Sequence, residues 1–198
     1  LVEDRKTQQL KCAKLNFSIK FLLDPQSFDL FQLHCLTLSP MQNNDIIRSI
    51  RYTFDFGDDQ MIKIFGLADL EVTRSEVSDW LKRDDDPEAK PINDFKLASF
   101  LNGLINYKRG KKEGTQPIPE SRLTNNQIIR KLKIALELQN EDIIDILALV
   151  GRNMSKHEIS AFFRKPEQKQ YRLCRDQVLR NFLQGLHLKY RASQEKKD

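Results

Sequence analysis

Shifting the chain by 82 positions lays Asn43–Leu104 onto Asn125–Leu186 with no insertion or deletion between the two segments. Asn43-Asn44 falls on Asn125-Asn126, Ile46-Ile47-Arg48 on Ile128-Ile129-Arg130, and Phe100-Leu101-x-Gly103-Leu104 on Phe182-Leu183-x-Gly185-Leu186. Only about a quarter of the aligned positions are identical, yet the apolar positions recur throughout, as in a duplicated supersecondary unit. A chain of 198 residues built this way folds as two copies of one small unit, fused or side by side.

The periodicity inside each copy is helical. Ile46, Ile47, Ile50 and Phe54, matched by Ile128, Ile129, Leu132 and Leu136, mark one face of a first helix. A second helix starts at Asp58-Asp59, where carboxylates favour the positive end of the dipole. It presents Met61, Ile62, Ile64, Phe65 and Ala68, with Ile143, Ile144, Ile146, Leu147 and Val150 as counterparts. Thr73-x-x-Glu76 and Ser155-x-x-Glu158 read as capping boxes opening a third helix, whose Val77, Trp80 and Leu81, or Ile159, Phe162 and Phe163, face inward. Asp84-Asp85-Asp86-Pro87 and Lys165-Pro166 end it. The fourth helix carries Leu97, Phe100, Leu101 and Leu104, or Leu179, Phe182, Leu183 and Leu186, around an interior glycine. Glycine there costs about 1 kcal/mol relative to alanine. Its recurrence at Gly103 and Gly185 points to close approach of another helix, with one from the partner copy considered first and a functional backbone contact as the alternative. The expected fold is therefore all-α: a tandem repeat of a four-helix unit, about eight helices, with a helix-turn-helix-like pair in each copy.

Repeat one spans 41–105 and repeat two 125–190, joined by a basic Gly/Pro linker over 106–124 and followed by a charged tail at 191–198. Residues 1–40 match no part of the repeat and read as an artefact or misplaced start, Met41-Gln-Asn-Asn-Asp being a natural beginning. An amphipathic arm is the competing reading. Lys20, Asp24, Pro25 and Asp29 interrupt the apolar stretch in that segment, so it is not expected to cross a bilayer, and no cleavage-site pattern marks a signal peptide. Cys12, Cys35 and Cys174 are odd in number and scattered, which fits free thiols and a cytoplasmic setting.

Net charge is +5, but its distribution is more informative. Of the aligned segments, 43–104 has 8 Lys/Arg against 13 Asp/Glu, whereas 125–186 has 11 against 7. Basic candidates for an acidic partner or nucleic acid are Lys156, Arg164, Lys165, Lys169, Arg172, Arg175 and Arg180, together with Lys108, Arg109, Lys111 and Lys112 of the linker. Asp79, Asp84, Asp85, Asp86 and Glu88 occupy the matching region of repeat one, so two equivalent polyanion-binding helices are not expected. The preferred reading is a protein-interaction or self-assembly module, the acidic copy complementing the basic one within a chain or between chains. Nucleic-acid binding by repeat two is the alternative.

Catalysis is not expected. His34, His157 and His187 stand singly, without HxxxH or HExxH, and Cys174 has no base nearby in sequence. The Asp84-Asp85-Asp86 run reads as a helix-ending loop, and neither GxGxxG nor GxxxxGK[ST] appears, so no cofactor, metal or small-molecule ligand is expected.

The NND-I-I-R helix start, SFLNGLI at 99–105, the KRGK linker and FLQGL at 182–186 give a chain that resembles the YehS-like family of bacterial proteins from Met41 to about Tyr190. The resemblance implies a duplicated domain of unknown function in cytoplasmic proteins that lack the first forty residues, and it brings no catalytic assignment.

Overall fold

The computed structural model describes residues 40–111 and 113–191, and the described residues from Met41 onward form one compact unit. The N-terminal segment's two readings, Cys12 and Cys35, Lys112, and nearly all of the charged tail lie outside the described residues. The described residues form eight helices and no strand. In repeat one these are α1 (Asn43–Phe54), α2 (Asp58–Gly66), α3 (Arg74–Leu81) and α4 (Asp94–Arg109), and in repeat two α5 (Asn125–Ala135), α6 (Asn140–Ala148), α7 (Lys156–Phe162) and α8 (Asp176–Arg191). None of them is long and apolar enough to cross a membrane.

Both capping boxes form: Thr73 Oγ1 and Ser155 Oγ accept from the Glu76 and Glu158 amides, and each glutamate accepts in return from the amide of its cap. Turn geometry repeats even where the residues differ. Asp55 (φ 52°) and Glu137 (φ 55°) are left-handed at the end of helix one, and Asp69 (φ 58°) and Gly151 (φ 71°) at the end of helix two.

The periodic residues make one core. Ile46, Ile47, Ile50, Ile64, Phe65 and Phe100 are buried in repeat one, and Ile128, Ile129, Leu132, Ile146, Leu147 and Phe182 in repeat two. Burying each such side chain contributes about 1.5–3 kcal/mol. The glycines have a steric reason. A Cβ on Gly103 would lie 1.8 Å from the Ile64 carbonyl oxygen, and one on Gly185 2.2 Å from that of Ile146. The approaching helix is thus α2 or α6 of the same repeat, not one from the partner copy.

The repeats fuse by reciprocal packing: α4 lies on α5, and α8 lies on α1. Hydrogen bonds tie the same junctions. Asn43 Nδ2 donates to Asp94 Oδ1 at 2.7 Å, while Asp94 Oδ2 accepts from the Leu123 amide at 3.0 Å. Asn125 Nδ2 donates to Asp176 Oδ1 at 2.7 Å, and Asp176 Oδ2 accepts from the Met41 amide at 3.1 Å. Each aspartate holds its own repeat's first helix and the entry to the other's. Beyond this symmetric frame the junctions differ: Lys131 Nζ meets Glu120 at 2.9 Å and Asn102 at 2.5 Å on the α4–α5 side, whereas Tyr52 stacks between His187 and Arg191 on the α1–α8 side.

Candidate functional site

Asn44 and Asn126 shape the segment that follows the third helix. Asn44 Nδ2 donates to the Trp80 and Lys90 carbonyls, and its Oδ1 accepts from the Ile92 amide. Asn126 does the same with Phe162, Arg172 and the Cys174 amide. One buried amide thus satisfies three backbone groups that helix and sheet ladders leave unpaired. The backbone of the segment is also bonded to the third helix, by Lys90 N–H to Asp79 O at 3.1 Å and by Arg172 N–H to Ala161 O at 3.2 Å.

On this repeated scaffold the two surfaces differ. In repeat one Asp79 takes Lys82 Nζ at 3.1 Å and Lys90 Nζ at 2.8 Å, and Lys82 also reaches Glu88 at 2.6 Å. Hydrogen bonds from Lys90 and then Lys82 hold the Asp79 carboxyl below its ordinary pKa. In repeat two the corresponding cations are Arg164 and Arg172, but Ala161 stands at the position of Asp79 and Gln170 at that of Glu88. The result is a groove of about 430 Å³ lined by His157, Glu158, Ala161, Arg164, Lys169, Gln170, Tyr171 and Arg172.

Of the residues singled out from sequence, Arg164, Lys169 and Arg172 line this groove. Lys165 and Arg175 are exposed beside it in the chain, and with Arg164 and Lys169 they make no ion pair among the described residues. Among the described residues Arg172 pairs with Glu158 alone, at 3.7 Å. Lys156 is paired with Glu141 at 2.5 Å, and Arg180 is on α8 beside Gln177. The linker residues do not join them. Lys108 and Arg109 belong to the last turn of α4 rather than to the linker, because the helix runs on to Arg109. Lys108 rests over the Phe54 and Phe56 rings, where burial lowers its pKa, Arg109 pairs with Glu137, and Lys111 pairs with Asp69. Sequence reasoning missed His157, Tyr171 and the two neutral positions, Ala161 and Gln170. The signal was present in the loss of carboxylates at aligned positions.

A second cavity, of about 460 Å³, lies between Arg109, Lys133, Glu137 and Gln139. Its charged groups are committed, Arg109 to Glu137 and Lys133 to Asn140 and the Phe163 ring. Among the described residues no group of three His, Cys, Asp or Glu could hold a metal ion. Burial, with Asp176 nearby, pushes the Cys174 thiol up to about 12, so it stays protonated at neutral pH. No ion pair among the described residues joins 74–90 to 156–172, so the opposite charges of the two third-helix regions do not meet within the chain.

A family model described as "Protein of unknown function (DUF1456)" matches twice, at residues 43–110 and 125–192. The chain belongs to this family. It is also 41% identical over 147 residues to the "Uncharacterized protein YehS" of Escherichia coli (strain K12), a match covering 74% of this chain and 94% of that one. No solved structure matches.

Proposed function

We propose that this protein is a non-catalytic protein-interaction module whose second repeat docks an acidic surface of a protein partner. The observation that carries the reading is the loss of the internal carboxylates. Repeat one neutralises its own cations around Asp79, whereas repeat two presents Arg164, Lys165, Lys169 and Arg175 without ion pairs among the described residues on the same scaffold. Unpaired cations on one face steer an acidic partner and fix its orientation.

Nucleic-acid binding is the second reading, favoured by the exposure of Lys165, Lys169 and Arg175. Two features support the protein partner over it. Helix α7 has 7 residues, and the connection before it, 149–155, is longer than the three or four residues of a helix-turn-helix turn. Glu158 and Glu167 also lie within the basic face and would oppose a densely charged backbone.

Titration of the full chain with a dye-labelled glutamate-rich peptide, and separately with a labelled DNA duplex, over a salt series tests the reading. Peptide binding that weakens with salt and exceeds duplex binding is expected. Absence of peptide binding at low salt, or tighter binding of the duplex, overturns it.

A further inference from the structure

We infer that Arg164 and Arg172 form a carboxylate clamp, which receives one Asp or Glu side chain of an acidic peptide segment where repeat one holds its own Asp79. This rests on the reading of repeat two as the surface for an acidic protein partner, and it names the site and the group bound.

Repeat one supplies the template. Its Asp79 side chain is only 11% exposed and is held between Lys82 and Lys90 at 3.1 and 2.8 Å. The supporting backbone is the same in both repeats, from the amide returning to the third helix to the buried asparagine that fixes the segment. Cations stand at the aligned positions in repeat two and both line the groove, while the carboxylate is gone, replaced by the methyl group of Ala161. Space opens there, in the groove of about 430 Å³.

The exchange of both lysines for arginine fits an external ligand. A lysine ammonium is a compact point charge, adequate for a carboxylate already fixed on the neighbouring helix. A guanidinium offers two parallel N–H donors that orient an incoming carboxylate. Tyr171 and His157 wall the groove and give the stem of the acidic side chain a surface to pack on. Glu158, 3.7 Å from Arg172, is the one carboxylate in the lining. The ligand that repeat one holds between its two cations is a carboxylate, Asp79, which places the chemistry with Asp and Glu. Repeat one, already filled by Asp79, binds nothing equivalent, so each chain has one clamp.

The test measures binding of the dye-labelled glutamate-rich peptide to the full chain and to variants, with circular dichroism to verify folding. Ala161→Asp restores the internal carboxylate and is expected to weaken binding by at least about tenfold. Arg164→Gln and Arg172→Gln, neither a buried position, should give a similar loss and decide the matter if Ala161→Asp does not fold. Lys165→Gln and Arg175→Gln, cations of the same face but outside the groove, should weaken binding by only about twofold to threefold, well short of the groove variants. Acetate should displace the peptide at lower concentration than inorganic phosphate. Wild-type binding by folded Ala161→Asp, or equal losses inside and outside the groove, overturns the clamp while leaving the acidic-partner reading in place. More effective displacement by phosphate overturns the carboxylate assignment. A wild-type chain that does not bind the peptide at all overturns the clamp and the reading together.

Discussion

The Leu123 amide donates to Asp94 Oδ2 at 3.0 Å, so a carboxylate of repeat one holds the residue that leads into the first helix of repeat two. Asp176 returns the contact to Met41. Both aspartates also bind an asparagine side chain of their own repeat, so each links two segments that belong to different copies. Asp94→Ala and Asp176→Ala should each destabilise the protein by about 2–3 kcal/mol, since each leaves a donor without its charged acceptor. Unfolding of the wild type in urea should follow one transition, with fluorescence and circular dichroism coincident. Two separated transitions would show the repeats to be independent.

The glycine pair gives a sharper steric test. Gly185→Ala places a methyl group against the Ile146 carbonyl and should cost at least about 2 kcal/mol despite the better helix propensity of alanine. Gly66, at the end of α2, has nothing within 4 Å of a built Cβ, so Gly66→Ala should be neutral or stabilising by up to about 1 kcal/mol. Urea midpoints of both variants check this, and equal effects would refute the close crossing.

Cys174 makes stability fall in alkali. Its folded-state pKa of about 12 lies above the ordinary value of 9.0, so from about pH 9 upward the unfolded chain sheds this proton and the folded one keeps it. The stability present below that range is lost as pH rises toward 12, at about 1.4 kcal/mol per unit for this group. Cys174→Ala should lose less stability than the wild type between about pH 8 and about pH 10 in urea unfolding. Parallel losses would contradict the burial of the thiol.

Acid acts through the caps. Hydrogen bonds from the Thr73 and Ser155 backbones lower the pKa of Glu76 and Glu158, so their stabilisation is present above the ordinary glutamate range and lost as pH falls through the depressed values. Glu158→Gln keeps an acceptor but not the charge. Its unfolding midpoint should depend less on pH below about 4.5 than that of the wild type.

The helices and their core faces were legible because apolar spacing, capping residues and the 82-residue repeat all specify local structure. Fusion of the copies was not, since reciprocal packing of α4 on α5 and α8 on α1 leaves no local signature. Asn44 and Asn126 gave no sign of their role, since they bond across 36 to 48 residues of sequence to a distant segment. The basic run at 108–112 looked like a free patch, yet Lys108, Arg109 and Lys111 are drawn to rings and carboxylates brought close only by folding. The groove required reading the absences at Ala161 and Gln170 against repeat one, a comparison available in sequence but without meaning until the ion pairs of Asp79 were known.

One scaffold is used twice, and the proposed binding surface lies on the second copy alone. Backbone amide shifts of the isotopically labelled full chain, followed during addition of the glutamate-rich peptide, test it most directly. Perturbations should concentrate in residues 157–172, with small changes at the aligned residues 75–90. Equal perturbation of both segments, or changes confined to repeat one, would contradict it.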